Sequence, residues 1–288
     1  MENSTNLKEI ILSVANKEKF SSLLLEKDYY LTLFLLELSK KPIDHLVFKG
    51  GTCLNKCYLG FFRLSEDLDF IYNQDTTKLT NRQMKLKTEE IRSEIKIFLV
   101  NCGLLVGDKL GVDWQKITHQ SRVLNLVVFA RYRSLFTENL ETIKIEVSFR
   151  NQLYYPVEKR RVAHLFYNKL GEPILKTEAN VVCISLFENL AEKYRAIITR
   201  KSVALRDVFD IGYIFKLKRI KPDTKLINLI LKKIHETRKM TKEEFFNNIS
   251  LLDVRNLNIA PLEVVLRSDL DTYSELDFAL EKVKRIVV

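Results

Sequence analysis

Eight glycines and five prolines in 288 residues leave this chain few places to break. That share is well under half of the roughly 12% usual for soluble chains. Long regular elements must carry such a sequence, and collagen-like or linker-rich architectures are excluded. An apolar fraction of 46% with 10% aromatic residues also excludes disorder as the dominant state. The length suits one large domain or two of ordinary size.

The few breakers punctuate a readable order of elements. Two helical patterns open the chain. The second, Glu26–Lys40, is apolar almost all round, as in a helix buried on several sides, and Pro42 stops it. HLVFKGGT reads as a short buried strand entering a glycine turn, TCLNKCYLG as helical turns closed by Gly60, and FRLSEDLDFIY as a second strand. A charged helix over Leu79–Cys102 follows, with Gly103 at its cap. Strands are predicted at Val112–Thr118, Val123–Arg133 and Thr142–Phe149, the last two as an antiparallel pair. Residues 150–180 read as a crossover, and from about Val181 the pattern is helical, with Pro222 and Pro261 as punctuation. The prediction is an α+β fold: a sheet domain with leading helices over 1–180, a helical, basic domain over 181–288, and two lobes with a cleft.

Charge is concentrated. Between Lys193 and Lys242 there are 15 Lys/Arg against 4 Asp/Glu, so this stretch carries the whole net excess of +10. Such a patch suits phosphate, on a nucleotide or along a nucleic-acid backbone, and it equally suits a solvated lysine-rich surface. The four cysteines form no C-x-x-C pair and the four histidines stand alone, so the sequence supports free thiols and no zinc site. Trp114, the single tryptophan, reads as a core anchor or an RNA-stacking platform. No signal core and no stretch of about 18 apolar residues occurs, which predicts a cytoplasmic chain without a membrane partner.

The chemistry concentrates in Lys49–Asp69. Asp67 and Asp69 lie two apart on a predicted strand, so both carboxylates leave from one face. Their mutual repulsion is relieved by a cation, and Mg²⁺ takes one or two carboxylates and completes its octahedron with water and phosphate. The Gly50–Gly51–Thr52 turn between strand and helix can bring backbone N–H groups and a hydroxyl to phosphate. Glu146, on the polar face of a later strand with Lys144 and Ser148, is a candidate third carboxylate or part of a solvated edge. Lys193 could meet phosphate as a point charge, while Asp207 and Asp210 share one helical face and could serve catalysis or ion pairing.

These residues resemble the AbiEii/AbiGii nucleotidyltransferases, which include toxins of type IV toxin–antitoxin and abortive-infection systems. FKGGTCLNKCYLGFFRLSEDLDF is similar to their GGT-x-L-x-K…R-x-S-E-D-x-D signature, and the likeness extends over roughly residues 20–220. The resemblance implies a polymerase-β-like nucleotidyltransferase core with a mixed or antiparallel sheet, followed by a helical bundle. It implies Asp67 and Asp69 as metal ligands with Glu146 in the third-carboxylate region, and Mg²⁺ or Mn²⁺ as cofactor. It further implies Gly50, Gly51, Thr52, Lys56, Arg63, Ser65 and Lys193 as nucleotide-binding, and Asp207 or Asp210 as the late catalytic aspartate. The expected reaction is transfer of a nucleoside monophosphate from an NTP to RNA, the tRNA 3′ end leading, with translation blocked and a separately encoded antitoxin as partner. Transfer to protein hydroxyls and a non-catalytic RNA-binding module are the alternatives.

Overall fold

The computed structural model describes residues 2–150, 152–175, 178–218, 220 and 222–287. They form two compact units. The first comprises Met1–Gly60, Leu64–Leu153 and Val157–Ile184; the second comprises Phe61–Arg63, Tyr154–Pro156 and Ser185–Val288.

In the first unit, helices α1 (Glu2–Glu18) and α2 (Ser22–Lys40) precede strand β1 (Leu46–Lys49). The short helix α3 (Gly50–Cys53) runs into a wider π-helical turn over Leu54–Leu59. Then come β2 (Asp67–Tyr72), α4 (Asn81–Asn101), β3 (Leu105–Val106), β4 (Trp114–His119), β5 (Arg122–Arg133), β6 (Leu140–Ser148), β7 (Glu158–Arg161) and β8 (Asn180–Cys183). The strands make one mixed sheet in the order β3-β5-β6-β2-β1-β8-β7, with β4 also paired to β5. As predicted, β5 and β6 are antiparallel. The parallel contacts are β2 with β6 and β1 with β8.

The apolar alternation of β1 and β2 builds the core beneath α2. Phe48 and Phe70 pack at 5.3 Å between ring centroids, and Phe34 of α2 lies 6.2 Å from Phe70 and 5.9 Å from Phe98 of α4. Helix α4 is launched by a reciprocal cap: the Thr80 hydroxyl accepts from the Gln83 amide, and the Gln83 side chain accepts from the Thr80 amide. The opposite face of β1 and β2 is apolar only toward one end, where Val47, Ile71, Ile184 and Leu153 cluster.

Three expectations are corrected here. Residues 150–180 are not only a crossover, and the helices do not begin at Val181. Glu158–Arg161 and Asn180–Cys183 add two strands to the sheet, β8 pairing directly with β1, and the helix starts only after Ser185. The second predicted strand is shorter than its apolar pattern suggested, because Phe61–Arg63 belong to the other unit and pairing begins at Asp67. Trp114 is half-buried rather than a core anchor, with Lys116 Nζ 4.4 Å and the Arg92 guanidinium 5.1 Å from its ring.

The second unit holds α5 (Leu186–Thr199), α6 (Leu205–Lys218), α7 (Thr224–His235), α8 (Lys242–Ser250), α9 (Ala260–Glu263) and α10 (Thr272–Lys284). Phe62 stacks on Phe209 and Tyr213 of α6. Gly212 lets α6 meet α10 closely, since a Cβ there would lie 2.5 Å from that of Ala279. Among the described residues, no helix is long and apolar enough to cross a membrane.

Candidate active site

Strand β1 ends at Lys49, and the chain turns at once through Gly50, whose φ of +79° favours glycine. A side chain is excluded there for a second reason. A Cβ on Gly50 would sit 2.5 Å from Asp69 Oδ2 and 3.1 Å from Asp69 Cβ. Two residues on, the Thr52 hydroxyl donates to the backbone carbonyl of Asp67 at 2.5 Å. The glycine turn and the carboxylate strand are thereby fastened to each other.

Register brings in the third strand. In the parallel pairing of β2 with β6, Asp67 lies opposite Lys144 and Asp69 opposite Glu146. Paired residues of neighbouring strands share a face, so three carboxylates and one ammonium stand together while Leu68, Phe70, Ile145 and Val147 point to the core. On the other side of β2, Lys49 lies opposite Asp69.

Lys144 Nζ sits 3.2 Å from Asp67 Oδ2 and 3.9 Å from Glu146 Oε2. Burial works against its charge, yet Asp67, Asp69 and Glu146 outweigh that and hold its pKa above the ordinary lysine value. Asp69 is also shifted upward, which for a carboxyl disfavours the charge. Burial raises its carboxyl above the usual range, and repulsion from Glu146 and Asp67 adds to this against Lys49 and Lys144. Glu146 is steadied by Asn125 of β5, whose side-chain amide donates to it, while Asn125 Oδ1 is buried with no hydrogen-bond partner.

The donor set fits a hard divalent cation. It is all oxygen, it already attracts an ammonium, and Asp69 repels its neighbours unless a positive charge intervenes. Asp67 and Asp69 are the pair on one strand. Glu146 is a third carboxylate on that face, bonded by Asn125, and no choice of one oxygen from each of the three carboxylates lies mutually within 4.8 Å.

Other expected nucleotide contacts lie differently. Thr52 is buried and occupied by the Asp67 carbonyl, and Gly51 is buried. Lys56 is sealed inside the first unit, donating to Asp28 at 2.8 Å and to Thr32 at 2.9 Å. Ser65 is half-buried just ahead of β2. Arg63, in the second unit, makes a two-pronged pair with Asp210, with Nε to Oδ1 at 2.6 Å and Nη2 to Oδ2 at 2.8 Å.

Within the second unit Lys193 Nζ lies 2.7 Å from both Asp207 Oδ1 and Asp210 Oδ2, and Arg200 also pairs with Asp207. Asp210 is fully buried. Burial opposes its charge, but Arg63 and Lys193 more than offset that and hold the carboxyl below the usual range. Nearby in sequence, Lys233 is completely buried against Glu188 at 2.5 Å and Glu192 at 3.0 Å.

Sequence reasoning missed Asn125 and this Lys233 pairing. Each had a signal: Asn125 is the polar residue inside the apolar run VLNLVVF, and Glu188 and Glu192 repeat at helical spacing on the buried face of α5.

The structure is similar to MenT4, a nucleotidyltransferase toxin of Mycobacterium tuberculosis H37Rv, with TM-score 0.66 and 18% identity over 97% of this chain and 89% of that one. It is also similar to JHP933 from Helicobacter pylori, with TM-score 0.55 and 16% identity over 93% of each chain. No curated protein matches. The family model described as "Nucleotidyl transferase AbiEii toxin, Type IV TA system" matches residues 34–281. The mixed α+β fold, the glycine turn against Asp69 and a match over most of the length converge: this chain belongs to the AbiEii nucleotidyltransferase toxins of type IV toxin–antitoxin systems.

Proposed function

We propose that this nucleotidyltransferase moves a nucleoside monophosphate from an NTP to an RNA acceptor, the 3′ end of tRNA, and so blocks translation in the cytoplasm. The observation that carries the reading is the register of Asp67 and Asp69 against Lys144 and Glu146, beside a turn that only glycine can make. Asp67 and Asp69 would hold Mg²⁺ or Mn²⁺, with Glu146 as further donor. When bound, the metal neutralises triphosphate charge and lowers the pKa of the attacking hydroxyl.

The protein's own part is positioning. The half-buried Gly50 would present backbone to the triphosphate, and Thr52 fixes the turn to the strand that bears the carboxylates. The acceptor hydroxyl oxygen bonds to the α-phosphorus and gives its proton to solvent, and the bond to the β-phosphate bridging oxygen breaks, releasing pyrophosphate. Lys193 is kept protonated by Asp207 and Asp210, with a pKa above the ordinary value despite burial.

An RNA acceptor is supported by the basic stretch on α5–α8. Lys201, Lys216, Lys218, Lys225, Lys232, Arg238, Lys239 and Lys242 are all exposed. A cognate antitoxin, encoded separately, completes the proposed system.

The test is label transfer from each α-³²P NTP in turn, with Mg²⁺ and total RNA, beside Asp67→Asn/Asp69→Asn. Label in tRNA with wild type alone is the expected result. Label on protein, or none with tight RNA binding, would replace this reading.

A further inference from the structure

Three of the four cysteines meet. Cys53, Cys57 and Cys183 bring their Sγ atoms within 4.8 Å of one another, the one such group of three ligating atoms among the described residues. All three are free thiols; Cys53 and Cys183 are buried and Cys57 is half-buried. Cys53 and Cys57 are four apart on the helical segment after the glycine turn, so they share a face. Cys183 arrives from β8, which lies beside β1 with Cys183 opposite Phe48. The C-x₃-C spacing and the distance of the third residue in sequence hid this group from motif reading.

We infer that the cluster is a binding site for a thiophilic d¹⁰ cation, Zn²⁺ or Cu⁺, held by the three cysteine sulfurs. Bond lengths of about 2.3 Å from a metal to each sulfur place ligating sulfurs roughly 3.8 Å apart, compatible with the spread seen here. Soft thiolates select these ions over Mg²⁺, so the site is chemically distinct from the carboxylates of β2 and β6. Each cysteine that ligates gives its proton to solvent as the metal–sulfur bond forms.

A cavity of about 390 Å³ bordered by Cys57 has room for water as a fourth ligand. Zn²⁺ would complete a tetrahedron with water from that cavity, whereas Cu⁺ needs only the three sulfurs. Because Cys53 directly follows Thr52 and Cys183 lies beside β1, an ion here would clamp the glycine turn from below.

The experiment uses the full chain, reduced and metal-free, titrated in separate arms with Zn²⁺ and Cu⁺, with Cd²⁺ as a spectroscopic probe. The expected result is one equivalent of Cd²⁺ with a charge-transfer band of three-thiolate intensity. Zn²⁺ or Cu⁺ should protect three thiols from a disulfide reagent, and the arm that protects at the lower free concentration names the ion. Cys57→Ser should weaken binding at least tenfold, while Cys102→Ser leaves it unchanged. Circular dichroism shows whether each variant is folded, and a misfolded Cys57→Ser is replaced by Cys183→Ala. Failure of both ions to protect the thiols of folded wild type overturns the inference, as does binding unchanged in the folded cysteine variant.

Discussion

The α-carbon of Gly50 lies against the carboxylate of Asp69, so close that a methyl group on it would overlap Oδ2. Gly60 provides the matching control, because its φ of +76° is as demanding while no atom lies within 4 Å of a Cβ placed there. Both Gly→Ala variants should lose about 1–3 kcal/mol from a positive-φ backbone, Gly60 through its ψ of −173° as well. Only Gly50→Ala should also displace Asp69 and cut nucleotidyl transfer by about 100-fold or more. Thermal melts with transfer rates separate the two costs. Equal activity in both variants would remove the link between turn and carboxylate.

Asp69→Asn should separate stability from activity. The native carboxyl is half-buried, and repulsion from Glu146 and Asp67 adds to the cost of burial. Neutralising it should leave the metal-free melting temperature unchanged or higher, while label transfer falls by about 100-fold or more, as for loss of a metal ligand. A melting temperature lowered by several degrees would show that the negative charge is structural.

Lys144 competes for the same oxygens that a divalent cation would use. Lys144→Met should therefore lower the Mg²⁺ concentration needed for half-maximal transfer, and it should destabilise the metal-free protein. An Mg²⁺ requirement that rises instead would assign Lys144 to the nucleotide.

The Arg63–Asp210 pair makes a pH-dependent prediction. Asp210 has its carboxyl held below the ordinary range, so its contribution is present above about pH 4, the unfolded value, and lost as pH falls through the lower native one. Arg63→Ala should cost about 3–5 kcal/mol at pH 7, because a fully buried carboxylate then keeps only Lys193. With Arg63 gone, burial raises the Asp210 pKa, and the variant's deficit should shrink toward pH 4. Denaturant melts across that range measure it. A deficit that does not change with pH would mean the pair contributes packing alone.

The elements legible in sequence were those with local signals. Helix α4 announces itself through Thr80, Gln83 and its apolar period, and the β5–β6 pair through runs of branched residues. The paired aspartates were legible because strand periodicity alone puts them on one face. Strand β8 was not, because four residues in NVVC carry little pattern and their partner Phe48 is far back in the chain. Lys56 fits a nucleotide-binding signature in sequence, but only the fold shows that Asp28 has already taken its charge. Sequence places charges along a chain, and long-range packing decides which of them remain free.

The pairing of β1 with β8 also sets a schedule. Phe48 must wait for Cys183 before the sheet centre is closed on both sides of β1. At ordinary synthesis rates that interval lasts roughly ten seconds, during which the nascent chain holds β2 and its carboxylates in an unfinished sheet. The catalytic frame of this toxin family member would thus come together late on the ribosome, after most of the polypeptide has emerged.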